Sequence, residues 1–214
     1  MSGRRVRAEQ IEATRGAILD AAERLFAEFG VHTVSNRQIA IAAGQGNTGA
    51  VGYHFGTKAD LVRAIARRHM AAIEDIRDRM IAETGDLTST REWAANMVRP
   101  ITEHLAGLGA PSWFARFNAQ VSADPGLFEI VTQDSPMFST RQELKNALDR
   151  LLLDVAPEVI AVRVLMTRHL LVQMCVETER ALAEGSTLTR LNWSDTADDL
   201  IDVIVALLEA PERR

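Results

Sequence analysis

The sequence predicts an all-helical (all-α) protein made of two parts. Aromatic residues are only 5% of the chain and prolines number six, whereas Ala, Leu, Glu and Arg recur, and this composition favours helix over sheet. Apolar residues also recur three and four positions apart in most segments, which is the spacing of amphipathic helices. With 214 residues, of which 47% are hydrophobic and 25% charged, the chain can bury a core and is not of a disordered type.

The first two predicted helices have clear ends. The first begins near Ile11 and stops at Gly30, a residue suited to follow a helix C-terminus. Ser35 and Gln38 form a capping box, which predicts a second, short helix over residues 36–43. The apolar stripe of the first helix consists of Ile18, Ala21, Ala22, Leu25, Phe26 and Phe29.

Glycines break the helical pattern after the second helix. After the run 44–46, Asn47 or Thr48 can cap a third short helix that reaches Tyr53 or His54. After the next glycine, a capping box at residues 57–60 starts a long fourth helix, which stops near residue 84.

The rest of the chain repeats the helical pattern. Further helices are predicted over 90–105, 111–121, 140–153, 157–184 and 194–209. The segment 122–139, rich in Pro, Gly, Ser and Asp, is predicted to be a long loop or a broken helix.

Charge is divided unevenly along the chain. The whole sequence has 24 basic and 29 acidic residues; ten of the basic and six of the acidic ones lie in residues 1–70, which leaves 14 and 23 in residues 71–214. The first segment therefore carries +4 and the second −9. A basic segment on an acidic body suits a protein of which one end meets a polyanion, although ordinary surface variation gives the same numbers.

Two short helices joined by a glycine turn and flanked by longer helices describe a helix-turn-helix unit. The second short helix is the one that enters a DNA major groove in such units. Its residues 47–53 are small or polar, which lets the backbone approach base edges closely.

This part of the sequence contains Gly30, Ser35, Arg37, Ile39, Ala40, Ala43, Gly44, Gly49, His54, Phe55, Lys58 and Leu61. In these residues it resembles the TetR family of one-component transcriptional regulators over residues 10–70. The resemblance implies an N-terminal three-helix helix-turn-helix domain over residues 10–70 and a helical effector-binding and dimerisation domain over 71–214. It also implies a homodimeric repressor that a small molecule releases from a palindromic DNA operator. The turn between Gly44 and Phe55 is one residue longer than the commonest pattern, and Gly52 stands where that pattern usually has tyrosine.

The resemblance implies two kinds of DNA contact. Phosphate contacts fix the register of the protein on the duplex, and base contacts read its sequence. The alternative is that Tyr53 and His54 only pack locally and that Arg37 and Lys58 are solvated surface residues. The expected phosphate contacts are Arg37, which could also meet a base, Tyr53, His54, Thr57 and Lys58, and the expected base contacts are Asn47, Thr48 and either Ala50 or Tyr53.

The basic residues before the first helix offer a further contact. Arg4, Arg5 and Arg7 could form an arm that reaches a minor groove, although such a tail is more often disordered.

An enzyme is the main alternative in another functional class. Residues 44–49 match the GxGxxG pattern of dinucleotide-binding proteins, but that pattern needs a buried strand before it and a full helix after it. The five histidines are scattered, and there is no nucleophile elbow or cysteine cluster. The sequence therefore predicts no enzyme, no cofactor and no metal site.

The cellular setting follows from cysteine usage and hydropathy. The single cysteine, Cys175, cannot form an internal disulfide, so a reducing, cytoplasmic setting is expected. The basic N-terminus has no apolar run behind it, and no run approaches eighteen apolar residues, which predicts neither a signal peptide nor a membrane-spanning helix.

The C-terminal part offers two further expectations. Its last two helices are apolar over more than one face, which fits an antiparallel pair that meets its two-fold copy in a four-helix bundle. A small apolar or amphipathic effector would find aromatic, Met and polar side chains there, but the same residues could be ordinary core, in which case the DNA-binding dimer has no effector. The candidate effector residues are His104, Trp113, Phe117, Asn118, Met137, Met166, His169 and Gln173.

Overall fold

A computed structural model describes residues 2–132, 137–185 and 192–211. Within these ranges it describes the side chains of all residues except 2–4, 137–139 and 141. These ranges contain ten helices and no strand, which confirms the all-helical prediction. The helices are α1 (Ser2–Phe29), α2 (Asn36–Ala42), α3 (Ala50–Phe55), α4 (Lys58–Thr84), α5 (Thr90–Leu108), α6 (Phe114–Ala123), α7 (Pro125–Thr132), α8 (Met137–Leu151), α9 (Pro157–Ala183) and α10 (Trp193–Leu208).

Packing divides the chain into two compact units. The first unit is Met1–Arg68 with Arg116–Gln133, and the second unit is His69–Ala115 with Asp134–Arg214. The functional domains expected at 10–70 and 71–214 remain a prediction. By packing, however, residues 116–133 go with the first helices: the Phe117 ring stacks on that of Phe26, with 6.4 Å between their centroids.

The first helix is longer than its apolar stripe predicts. It begins at Ser2, so the basic residues expected to precede it lie within it. No proline interrupts this stretch, and the Arg5 guanidinium pairs with the Glu9 carboxylate one turn later, at 3.1 Å. Such pairs support an exposed helix modestly. The segment from Arg5 onwards is therefore a helical extension and not an extended arm.

The predicted loop at 122–139 contains a short helix. The Asp124 carboxylate accepts a hydrogen bond from the Leu127 amide at 2.9 Å and so caps the start of α7. Leu127 is buried, which holds this helix against the first unit. The segment is thus a broken helix over the part that the structure describes.

The second unit is built around α5, α9 and α10. Val98 and Leu105 of α5 and Ile204 and Leu208 of α10 are fully or almost fully buried. At the edge of this contact the Arg99 guanidinium pairs with the Asp198 carboxylate at 2.8 Å. The buried apolar surface of these helices supplies the main stabilisation of the unit.

Helix α9 is long and apolar enough to cross a membrane by length and composition alone, although the sequence predicts no such helix. A core helix that is buried in protein meets the same criterion. Arg163 is buried and donates to the Leu208 carbonyl at 2.6 Å, and buried Glu179 accepts from the Ser112 hydroxyl at 3.0 Å. These polar contacts place one face of α9 in the core of the second unit.

Candidate nucleic-acid interface

Helix α2 begins with the capping box that the sequence predicts. The Ser35 hydroxyl accepts from the Gln38 amide at 3.3 Å, and the Gln38 side-chain oxygen accepts from the Ser35 amide at 2.8 Å. These bonds satisfy amides that the first turn of a helix leaves free. Ile39 and Ala40 are buried and fix the helix against the unit.

The turn after α2 depends on a glycine. Gly44 has a φ of 68°, a conformation that residues with a Cβ rarely adopt. Three residues later, the Asn47 side-chain oxygen accepts from the Gly49 amide at 2.9 Å and closes a local turn just before α3. The asparagine expected to read a base is therefore also the residue that shapes the approach to α3.

Helix α3 is six residues long and packs against the first unit through one buried face. Ala50, Val51 and Phe55 are buried, whereas Gly52 and Tyr53 face solvent. A helix this short is not stable alone, so its position comes from its buried face and from contacts at its ends.

Arg15 of α1 contacts the end of α3. Its guanidinium donates to the His54 carbonyl at 2.6 Å, and the guanidinium carbon lies 4.5 Å from the centre of the Phe55 ring. A cation at a helix C-terminus and over an aromatic face is favourable in both respects. Sequence reasoning missed this role because Arg15 lies 39 residues from His54 and no local pattern connects them.

The start of α4 is tied in two ways. The Thr57 hydroxyl donates to the Asp60 carboxylate at 2.6 Å and accepts from the Asp60 amide at 3.1 Å, which confirms the second predicted capping box. The bond from the Thr57 hydroxyl, more than any other contact, holds the pKa of the Asp60 carboxyl below its ordinary value. Lys58, the next residue, donates its ammonium to the carbonyls of Val31 at 3.0 Å and Val34 at 2.7 Å.

The predicted DNA contacts differ in exposure. Tyr53 is 83% exposed, and among the described rings it contacts only that of His54, edge to face. Local packing therefore does not account for this solvent-exposed aromatic side chain. Ala50, expected to contact a base, is buried at 8% exposure. The exposed residues of the set are Arg37, Asn47, Thr48, Tyr53 and Thr57, and the partly exposed ones are His54 and Lys58.

Arg37 of the first unit keeps its charge available. Arg37 makes no ion pair or hydrogen bond with any residue that the structure describes. The carboxylates of Asp20 and Glu23 are both engaged by Arg68, each at 2.6 Å. These acidic groups of the unit are thus paired elsewhere, and Arg37 is available for an anion.

The candidate effector residues do not form one cluster within either unit. Phe117 stacks on Phe26 in the first unit, whereas His104 lies in the second, where its ring and that of His69 share a hydrogen bond of 2.8 Å. His69 is buried and stacks on Phe114 at 3.9 Å between ring centroids.

The other candidate effector residues differ in exposure, and one is only partly described. Met166, His169 and Gln173 are exposed on α9, and His169 donates to the carbonyl of Leu165 at 2.8 Å. Trp113 and Asn118 are partly exposed, and the side chain of Met137 lies outside the described residues. Their role as an effector site stays a prediction.

A cleft of about 270 Å³ lies elsewhere in the second unit. It is lined by the end of α4, the loop that follows and α8, with Ile81, Leu87, Leu144 and Arg150 among its residues. None of the predicted effector residues whose side chains the structure describes lines it. In the part of the chain that the structure describes, no group of three or more His, Cys, Asp or Glu could hold a metal ion.

Comparison with known families identifies the helix-turn-helix segment. Residues 18–65 match the family of bacterial regulatory proteins called the tetR family, which confirms the resemblance predicted from the sequence. The matched segment contains α2 and α3 in full. No curated protein sequence matches the chain.

Solved structures similar to the chain include three regulators. The TetR-like transcriptional regulator LfrR from Mycobacterium smegmatis, in complex with proflavine, is 22% identical, covers 94% of this chain and 98% of its own, and has a TM-score of 0.46. The TetR family transcriptional regulator PfmR from Thermus thermophilus is 15% identical, with 92% and 96% covered and a TM-score of 0.49. The fatty acid degradation regulator FadR from Bacillus halodurans is 19% identical, with 94% and 97% covered and a TM-score of 0.44.

Proposed function

Because residues 18–65 match the tetR family of bacterial regulatory proteins, we propose that this protein is a cytoplasmic, homodimeric, sequence-specific DNA-binding regulator that represses transcription. The observation that carries the proposal is the α2–α3 unit, whose exposed residues include Arg37, Asn47, Thr48 and Tyr53. A double-stranded operator is the partner that this surface suits, since cationic and polar side chains bind phosphates and base edges.

The exposed residues have separate roles in this proposal. Arg37, Tyr53 and His54 bind DNA phosphates and set the register of the protein on the duplex. Thr57, at the capped start of α4, lies near the DNA backbone. Asn47 and Thr48 read base edges, since an amide pairs with adenine and a methyl group contacts thymine. Ala50 has no role here because its methyl group is buried.

Dimerisation uses the exposed apolar face of α9 and α10. Val162, Leu165 and Met166 of α9 are each about half exposed, as is Val203 of α10. The three α9 residues lie three and four positions apart, so they form one stripe. A second copy of the chain is the occupant this stripe fits, because two copies place two recognition helices on successive major grooves, about 34 to 36 Å apart.

Release by a small effector in the second unit completes the proposed mechanism. An effector that binds better to a conformation whose recognition helices are wrongly spaced weakens operator binding by its differential affinity for the two states. The competing proposal is a DNA-binding dimer without an effector, which fits the exposure of Met166, His169 and Gln173 on α9.

The first experiment is fluorescence anisotropy of the protein on the intergenic DNA upstream of its own gene and on random duplex, over a salt series. We expect selective binding with a steep salt dependence. Asn47→Ala and Thr48→Ala should change the preference among operator variants, while Arg24→Ala, an exposed arginine of α1, serves as the control and leaves it unchanged. Binding no tighter than to random DNA, both here and in a genome-wide selection of bound fragments, contradicts the proposal.

A further inference from the structure

The ammonium of Lys58 is directed into the protein. It donates to the Val31 and Val34 carbonyls, 27 and 24 residues earlier in the chain. Both bonds have the ordinary length of N–H···O hydrogen bonds. Lys58 thus uses two of its three N–H donors on the turn between α1 and α2.

The two carbonyls belong to buried residues. Val31 is 3% exposed and Val34 is 1% exposed, and no other hydrogen-bond donor contacts these carbonyls among the described residues. A buried carbonyl oxygen without a hydrogen-bond donor is unfavourable. Moving the ammonium outwards to a phosphate would leave the two carbonyl oxygens without a donor.

The position of these carbonyls connects Lys58 to the DNA-binding helices. Val34 directly precedes Ser35, whose hydroxyl caps α2. Helix α2 in turn packs against α3, so the start of α2 helps to set where α3 lies. A cation bonded to neutral carbonyls can therefore hold the helix-turn-helix unit in place from α4.

We propose that Lys58 is a positioning residue for DNA binding, which fixes the start of α2 through the Val31 and Val34 carbonyls instead of binding a DNA phosphate. This inference rests on the proposed function. It differs from the sequence-based expectation, in which the Lys58 ammonium contacts a phosphate directly.

The first test compares the salt dependence of operator binding for Lys58→Met and Arg37→Ala. Lys58→Met removes the charge and keeps most of the stem. We expect its operator affinity to fall roughly tenfold, with a smaller loss on random duplex and an unchanged slope of log affinity against log salt. Arg37→Ala, by contrast, should flatten that slope by about 0.9. A Lys58→Met slope that flattens by the same amount, with equal losses on all duplexes, overturns the proposal.

The second test uses the wild-type protein, so it stands even where Lys58→Met fails to fold. In a nitrogen-15 NMR spectrum of the lysine ammonium groups, we expect the Lys58 signal to be protected from solvent exchange in the free protein and unshifted on DNA. Protection that arises only with DNA, or a through-bond coupling from the ammonium to phosphorus, overturns the proposal.

Failure of the proposed function gives a different result. In that case the wild-type protein shows no preference for any duplex, and the free protein alone decides the inference. A protected Lys58 ammonium then supports its hold on the α1–α2 turn, and an unprotected one contradicts it.

Discussion

The guanidinium of Arg15 lies 4.5 Å from the centre of the Phe55 ring and also donates to the carbonyl of the preceding residue, His54. Helix α1 thereby holds the end of α3, the helix proposed to enter the major groove. Lys58 holds the turn before α2 from the other side through main-chain carbonyls. Both cations are bonded to neutral carbonyls. They therefore stabilise the helix-turn-helix unit, and no carboxylate cancels their charge in these contacts.

Replacing Arg15 should loosen α3. Arg15→Met keeps an apolar stem over Phe55 but removes the hydrogen bond and the cation–π contact, so we expect a loss of roughly 1 to 2 kcal/mol in the free energy of unfolding. Urea unfolding measures this, with Arg24→Met on the exposed face of α1 as the matched control. Equal effects of the two substitutions would show that the contact with α3 is unimportant.

Gly52 should tolerate alanine. A Cβ built at Gly52 meets no atom within 4 Å, and its φ is not in the left-handed region. Since glycine within a helix is less favourable than alanine by roughly 0.5 to 1 kcal/mol, Gly52→Ala should raise the free energy of unfolding by about that amount.

Gly44→Ala is the comparison for this prediction. Its φ of 68° strains any residue with a Cβ, so this substitution should destabilise the protein. Thermal unfolding of both variants tests the pair. A Gly52→Ala protein that melts below the wild type argues against the exposed helical placement of residue 52.

Arg37 should account for one phosphate contact. It is exposed and makes no ion pair with a described residue. Arg37→Ala should weaken binding about equally on all duplexes and flatten the salt slope by about 0.9. Arg24→Ala is the control in the same assay. A loss confined to the operator, with the slope unchanged, would instead assign Arg37 to base reading.

The apolar stripe on α9 should control oligomeric state. Leu165→Glu places a charge where a second copy of the chain is proposed to pack, so we expect dissociation to monomers and loss of tight operator binding. Leu153 is 82% exposed in the turn before α9. Leu153→Glu is therefore the control and should leave the mass of the protein in solution unchanged. Light scattering after size-exclusion chromatography measures both. A Leu165→Glu protein of unchanged mass contradicts the proposed interface.

Acid should weaken the contact between the α1–α2 turn and α7. The Leu127 amide, followed by His32 at 2.8 Å, holds the pKa of the Asp124 carboxyl below its ordinary value. A carboxyl with a lowered pKa in the folded state stabilises the fold above its unfolded pKa of about 3.9, and this contribution is lost as the pH falls through the folded value. Asp124→Asn should therefore lose less stability than the wild type between about pH 5 and pH 3.

Thermal unfolding over that pH range measures this difference. Asp75→Asn, an exposed residue of α4, is the control and should follow the wild type. Parallel curves for wild type and Asp124→Asn would rule out a contribution from this carboxyl.

Much of the helix-turn-helix unit is predictable because its signals are local. The capping boxes at Ser35 and Thr57 join residues three positions apart, and both occur in the structure. The sequence pattern places the start of α1 too late, since the apolar stripe marks only the part of a helix that packs, while the exposed extension is supported by Arg5 and Glu9.

The sequence by itself determined the helical class, the capping boxes at Ser35 and Thr57 and the resemblance of residues 18–65 to the tetR family, because these depend on spacings of a few residues. Only the tertiary structure decided that Arg15 reaches His54, that Lys58 faces inwards and that Phe117 packs with Phe26. Such contacts join residues far apart in the chain. Their partners are main-chain carbonyls or buried rings, which carry no sequence signal until packing brings them together.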